Sequence, residues 1–309
     1  MNQTLKFGTD GSFKIVQFTD VHWMNDNEED RRTSAVERMV LKEERPDLVV
    51  FTGDTSVGAD NLTALRRALE PVEEAQVPFA AVFGNHDDED GESKEALLAV
   101  QQESDLCLTQ AGDPGISGLG NYILEIGSRN GKDRIGWILY MMDSGTYNRN
   151  EKVGGYGYFE RDQINWYVKS AKAVKNKCGN VPALAFFHIP LPEYNEVWET
   201  QICYGEKNEE VDCPDQNSGM FSAMLEMGDV KGMFVGHDHI NDYCGDLYGI
   251  RLYYGRATGY HTYGKENFAR GARVIRLREG QSEVESWLRL EDGTILRNQP
   301  LHRPESPES

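Results

Sequence analysis

The chain has 309 residues, is 39% hydrophobic and 10% aromatic, and carries a formal charge of −19. That length can bury a large core, and that charge argues against a broad surface for nucleic acid or anionic membrane, leaving room for a local cationic pocket only. No stretch approaches the roughly 20 apolar residues of a membrane span. The five cysteines lack a C-x-x-C pair and so describe neither a disulfide framework nor a zinc ribbon. The polar first eleven residues lead straight into a strand, so no signal peptide is expected and a cytoplasmic location is.

In chain order, residues 13–19 (FKIVQFT) have the alternation and β-branching of a strand and end in Asp20-Val21-His22. Residues 27–45 read as a surface helix stopped by Pro46. The nearly continuous apolar run 47–52 (DLVVFT) is typical of a strand buried on both faces and ends in Gly53-Asp54. Leu62, Leu65, Leu69 and Val72 recur at helical spacing before the strand 80–83, which runs into Gly84-Asn85-His86-Asp87. Three strand–helix units in succession indicate an α/β sheet, whose sites form at the carboxyl ends of the strands.

The middle is less regular. A helix is expected over 93–102, and a hairpin over 122–126 and 135–142 with Asn130-Gly131 at its turn. Residues 143–157, rich in Gly, Asn and Tyr, read as a loop near the site, and 160–177 as a helix. The strand 183–187 delivers His188, and 191–217 reads as a long connection of the kind used for lids and binding loops. A short helix over 218–227 precedes the strand 232–235, which enters Gly236-His237-Asp238-His239. A closing antiparallel run is expected over 243–247, 250–254, 272–277 and 283–290. One domain over 1–297 and a flexible tail over 298–309, rich in Pro, Glu and Ser, complete the expected organisation.

Five of the seven histidines (His22, His86, His188, His237, His239) follow directly on these strands, beside Asp20, Asp54 and Asn85. Any one of them reads equally well as a solvated loop histidine. Together they are poorly explained that way, because burying so many polar groups without partners costs several kcal/mol. Neutral imidazoles and carboxylates are the ligands that zinc, manganese and iron take. Eight groups are too many for one tetrahedral ion, so two ions sharing a carboxylate is the economical expectation.

The blocks D-x-H (Asp20, His22), G-D (Gly53, Asp54), G-N-H-D (Gly84 to Asp87), a lone strand-end His188 and G-H-x-H (Gly236 to His239) resemble, in order and spacing, those of the calcineurin-like metallophosphoesterases. Within that superfamily, residues 187–194 (FHIPLPEY), 217–220, 234–244 (FVGHDHINDYC) and 259–264 (GYHTYG) are similar to the purple-acid-phosphatase-related branch with plant and fungal members. The resemblance implies an α/β fold, an αββα sandwich of two mixed sheets flanked by helices. It further implies a hydrolase in which metal-bound hydroxide attacks the phosphorus of an ester in line. Asp20, His22 and His239 would hold one metal, Asn85, His188 and His237 the other, and Asp54 would bridge. His86 would protonate the leaving oxygen and Asp87 would orient it. The purple enzymes carry a tyrosine three residues after the bridging aspartate and lack the first-block histidine, whereas here Val57 and His22 stand there. That departure bears on tyrosinate–iron colour, not on the number of metals.

Other residues have two readings each. His261 is a substrate contact or a structural hydrogen bonder, and Arg256 and Arg270 meet phosphate or pair within the protein. Cys203 and Cys213 bridge or stay free, and Trp23 lines a pocket or packs in the core. A metallo-β-lactamase motif starting at His237 fails because Asn241-Asp242 stands where Asp-His is needed. The alternative to a hydrolase is a non-catalytic metal-binding protein that keeps the fold.

Overall fold

The computed structural model describes residues 4–129, 131 and 134–304. The chain begins with β1 (Ser12–Phe18), α1 (Glu28–Glu44), β2 (Leu48–Thr52), α2 (Asn61–Glu74) and β3 (Phe79–Val82), then α3 (Lys94–Gln101). The hairpin β4 (Tyr122–Gly127) and β5 (Ile135–Met141) is followed by α4 (Arg161–Cys178) and β6 (Ala183–Phe186). Next come α5 (Glu193–Thr200), β7 (Cys203–Tyr204), α6 (Met220–Met227), β8 (Val230–Val235), β9 (Cys244–Leu247) and β10 (Ile250–Tyr254). The chain closes with β11 (Gly271–Arg278), β12 (Glu285–Leu290), β13 (Ile295–Leu296) and β14 (Leu301–His302).

Two sheets result, one of six strands in the order β13-β12-β11-β1-β2-β3 and one of eight in the order β14-β7-β9-β10-β8-β6-β5-β4. β1, β2 and β3 are mutually parallel, as are β5, β6, β8 and β10, and antiparallel strands flank each parallel centre. Strand period two explains the packing. Phe13 and Ile15 of β1, Leu48 and Val50 of β2, and Ala80 and Val82 of β3 face the other sheet, against Leu184, Phe186, Phe234 and Tyr253. The alternate residues Val16, Phe18, Val49, Phe51, Phe79 and Ala81 face α1, α2 and α3. The second sheet turns Ala183, Ala185, Met233 and Val235 towards α4, α5 and α6. Each central strand therefore has an apolar partner on both sides, which is why β2 reads as an unbroken apolar run.

The structure differs from the sequence reading in three places. The connection 191–217 contains α5 and β7, because Tyr194 and Val197 of α5 are buried against the second sheet. The closing strands are divided between sheets, β9 and β10 in one, β11 and β12 in the other, and β11 pairs with β1. The stretch expected as a tail includes β14, which pairs with β7 while Gly205 donates its N–H to the Pro300 carbonyl at 2.8 Å. His302 also stacks on Trp198, with centroids 3.7 Å apart. The hairpin's turn residue Asn130 lies outside the described residues. Among the described residues, no helix is long and apolar enough to cross a membrane.

Phe234 sits fully buried between the sheets, stacked on Phe186 (centroids 5.1 Å apart) and on Tyr253 (4.5 Å). Phe234→Ala should therefore lower the stability of the whole molecule by about 3–5 kcal/mol. Chemical denaturation followed by tryptophan fluorescence checks this, and a loss below about 1 kcal/mol would mean the two sheets do not share this core.

Candidate metal centre

β1, β2, β3, β6 and β8 all end on one side of the sandwich, and the residues just past their ends converge between the sheets. The turns that bring them there are tight. Asp20, His22, Asp54 and His237 adopt φ values of 52°, 47°, 51° and 77°. This left-handed region is costly for residues with a Cβ, and such residues cluster where a site is held under constraint. Gly53 has φ +90, and a Cβ on it would lie 2.5 Å from Nδ1 of His188, so only glycine lets β2 and β6 end this close together.

Backbone hydrogen bonds tie the loops to one another. Asp20 donates its N–H to the Gly53 carbonyl at 3.2 Å, His22 to Asp54 at 2.9 Å, and Gly259 to Asp20 at 3.0 Å. The carboxylate of Asp20 accepts the His237 N–H on both oxygens, at 3.1 and 3.2 Å, linking the first sheet to the second. Gln17 adds a second link, donating to Thr52 Oγ1 at 2.8 Å and to the Val235 carbonyl at 3.0 Å.

Two clusters of buried donor atoms follow. Asp20, His22 and His239 form one, and Asp54, His188 and His237 the other. Asn85 joins the second, its Oδ1 standing 3.1 Å from His188 Nε2. His188 Nδ1 faces the Thr52 carbonyl at 2.8 Å, and a carbonyl only accepts, so Nδ1 carries the proton and Nε2 presents its lone pair. Within 3.1–3.3 Å of that nitrogen stand two acceptor oxygens, Asp54 Oδ2 and Asn85 Oδ1, and the ring nitrogen His237 Nδ1. Asp54 Oδ1 is engaged by the His86 N–H at 2.8 Å. Its Oδ2 faces both His188 Nε2 at 3.1 Å and His22 Nε2 at 3.4 Å, and so belongs to both clusters. Asp54 Oδ2 and His22 Nε2 are buried without a hydrogen-bond partner among the described residues. Carboxylate, amide and imidazole donor atoms that converge in this way fit a cation.

The electrostatics of the protein alone give the same sign. Burial works against ionising Asp20, but His239 and His188 outweigh it and hold the carboxyl down to about 2. Burial is likewise overcome at Asp54, which His188 and His22 hold well below the usual carboxylate range. In return, Asp54 raises His188 to about 9 against its burial, while burial and the neighbouring His188 push His237 down to about 3. Two buried carboxylates stay ionised and draw positive charge into the site, which divalent or trivalent ions would supply without protonating the ligands.

Asp87 does not face His86. Its carboxylate accepts N–H groups from Gly84 (2.7 Å), Thr55 (2.8 Å) and Asp54 (2.9 Å), and so clamps the ends of β2 and β3 together. The side chain that meets His86 is Glu89, whose Oε2 makes a short contact with Nδ1. The reason is turn geometry. Glu89 donates its N–H to the His86 carbonyl at 3.4 Å, and a turn puts residues i and i+3 on one side and i+1 on another. Arg256 lies buried, paired with Asp242 and stacked on Phe268. Arg270 donates to the Thr262 and Tyr263 carbonyls at 2.9 Å. His261 reaches the start of α1, 3.0 Å from Asn27 Oδ1 and 3.2 Å from Asp30 Oδ1, and belongs to neither donor cluster. Trp23 packs in the core beside α1, and Cys203 and Cys213 are free.

The loops expected near the site do border it. Tyr156 presents its ring edge-on to His237 at 4.4 Å, and Tyr263 lies 4.3 Å from His239 and donates to Glu209 at 2.7 Å. The sequence offered no signal for Tyr156, Tyr263 or Glu89 beyond the loops that carry them. A cavity of about 620 Å³, lined among others by Asp88, Lys94, Asp143 and Tyr147, adjoins this side.

The sequence pattern of the calcineurin-like phosphoesterases matches residues 13–241. The chain belongs to that family. It is 33% identical to "Probable inactive purple acid phosphatase 29" of Arabidopsis thaliana over 93% of this chain and 85% of the plant protein. It is 34% identical to "Phosphatase DCR2" of Saccharomyces cerevisiae over 78% of this chain and 46% of the yeast protein. Among solved structures, a dimetal phosphatase from Danio rerio shares the fold, with a TM-score of 0.58 at 17% identity, covering 89% of this chain and 98% of that one. The two mixed sheets with flanking helices are the arrangement expected for this phosphoesterase family, whose purple-acid-phosphatase-related members the chain most resembles in its blocks.

A Cβ at Gly84 would lie 2.1 Å from Asp54 Oδ1 and 2.6 Å from the Asp54 nitrogen. Gly84→Ala should therefore displace Asp54 and lower metal content although it removes no donor atom, and Asp54→Asn should deplete both clusters by removing the shared charge. Elemental analysis of folded protein reads both. Full metal content in Asp54→Asn would mean its Oδ2 is not shared.

Proposed function

We propose that the chain is a phosphoric ester hydrolase that works with two transition-metal ions. The observation that carries this reading is the single oxygen Asp54 Oδ2 facing His22 on one side and His188 on the other. Asp20, His22 and His239 would hold one ion, and Asn85, His188 and His237 the other, with Asp54 common to both. Manganese, iron and zinc all suit this set of imidazoles, carboxylates and one amide oxygen. When bound, such a pair supplies Lewis-acid polarisation of the phosphoryl group and a water of lowered pKa.

The chain's own groups do the rest. The Asp54 carboxylate is fixed by the His86 N–H, and the Asp87 clamp holds the Asp54 backbone, so the shared oxygen is preorganised. His86 stands beside His22, ring centroids 5.4 Å apart, and at 37% side-chain exposure it is open to a substrate. It would give a proton to the ester oxygen as the P–O bond breaks. Arg256 and Arg270 each bond to protein partners. The cavity bounded by Asp88 and Tyr147 offers space for the organic half of the ester.

A second reading, a metal-binding protein without turnover, is favoured by the name of the plant relative, which calls that protein probable inactive. The yeast relative's name, a phosphatase, favours hydrolysis. One experiment separates them. Purified protein should carry about two transition-metal ions, hydrolyse members of a panel of phosphate mono- and diesters, lose that activity on chelation and regain it on metal return. Two ions without turnover of any ester would establish the binding protein, and full activity in metal-free protein would overturn both readings. His86→Ala should retain both ions and slow turnover of alkyl esters by about 10²- to 10⁴-fold, and of nitrophenyl esters by much less.

A further inference from the structure

Among the described residues, the His86 ring is hydrogen-bonded from one side. Its Nδ1 meets Glu89 Oε2 in a short contact, and the other oxygen of that carboxylate accepts the Tyr147 hydroxyl at 3.1 Å. Tyr147 is itself fixed. Its ring stacks on Tyr156 with centroids 5.8 Å apart and an interplanar angle of 20°. The two residues bridge antiparallel, with Asn148 donating to the Gly155 carbonyl and Gly157 to that of Thr146, both at 2.9 Å. Tyr156 closes the line at the edge of His237. Side chains from the loop 143–157 thus reach from a metal-facing histidine to the partner of His86.

We propose that Glu89 is the positioning residue for His86, and that Tyr147 fixes Glu89 in turn. This rests on the reading of His86 as proton donor. An imidazole presents two nitrogens, and a carboxylate can only accept, so a carboxylate at Nδ1 keeps a proton there and leaves Nε2 for the substrate. A second oxygen held by a tyrosine stops the carboxylate from rotating away. Without Glu89, His86 is a partly exposed side chain on a turn, free to visit other rotamers, and its donor nitrogen meets the ester oxygen only part of the time.

The step balances as follows. Oxygen from water bonds to phosphorus, and the P–O ester bond breaks with its electron pair on the departing oxygen. That oxygen takes the Nε2 proton, leaving a neutral imidazole whose Nδ1 keeps its proton and donates it in a hydrogen bond to Glu89. The surplus proton of the water leaves to solvent, from which Nε2 is reprotonated. The positioning role therefore matters in proportion to the basicity of the leaving group. An alkoxide needs the proton, and a nitrophenolate departs without it.

The test compares wild type, Glu89→Ala, Glu89→Gln, Tyr147→Phe, His86→Ala and the same-segment charge control Glu92→Gln, all metal-loaded and assayed for metal content. The readout is the ratio of kcat for an alkyl phosphate to kcat for nitrophenyl phosphate. Glu89→Ala should lower this ratio by about tenfold or more, part of the 10²- to 10⁴-fold that a general acid supplies, with both ions retained. Glu89→Gln, whose amide oxygen can still accept from Nδ1, should fall less, and Tyr147→Phe should move the ratio in the same direction by a few-fold. Glu92→Gln should leave it where it was. A ratio unmoved in Glu89→Ala while His86→Ala shifts it overturns the positioning role and leaves the acid intact. A ratio unmoved in His86→Ala overturns the proton donor itself, and Glu89's role with it.

Discussion

A buried carboxylate that points into the backbone holds this site together. Asp87 accepts the backbone N–H groups of Gly84, Asp54 and Thr55, and so welds the end of β2 to the end of β3. Burial, and then the nearby charge of Asp54, raise its pKa, which is the electrostatic cost of placing it there. Four N–H donors, these three and Ser56 at 3.4 Å, work against that cost, and they are groups that the tight turns would otherwise leave unpaired. Everything downstream depends on this clamp. It sets the backbone of Asp54, which aims one oxygen at His22 and His188 and offers the other to the N–H of His86. One ionic side chain thereby fixes the geometry of both donor clusters and of the proposed acid.

Much of the architecture was legible in the sequence, because the physics of burial writes periodicities into it. Continuous apolar runs marked the strands covered on both faces, and ligand-type residues at their ends marked the site, since parallel strands deliver their last residues to one side. What was not legible came from contacts distant in the chain. α5 and β7 are ordered by packing on the second sheet, and at eight and two residues they are too short to stand out from the long connection that holds them. β14 exists only because β7 offers it an edge. The division of the last strands between two sheets follows from β1 having one free side, which no local pattern records.

At the site the same division holds. The converging histidines, Asp20, Asp54 and Asn85 were readable as types at spacings. The partners of individual side chains were not, because adjacent residues in a turn diverge while residues three apart meet. Asp87 follows His86 in sequence yet points into the backbone, whereas Glu89, hidden in an acidic run of five residues, 87–90 and 92, is the one that reaches it. Arg256 is likewise invisible as an ion-pair residue until Asp242 is seen beside it, and His261 until the start of α1 is.

The pairing of β11 with β1 has a consequence for how the molecule is made. The loop carrying Asp20 is pinned by Thr258 and Gly259, and Thr19 and Thr258 are separated by 239 residues. At a synthesis rate of about 5–20 residues per second, the first ligands leave the ribosome on the order of ten to fifty seconds before the segment that fixes them. During that interval β1 has one unpaired edge, and the donors that follow it have no settled geometry. Such a topology, rich in distant contacts, belongs among the slower folders. Metal capture by both clusters would therefore be an event of the finished chain, and a nascent chain halted just before residue 258 would hold all seven donor residues without the enclosure that makes them a site.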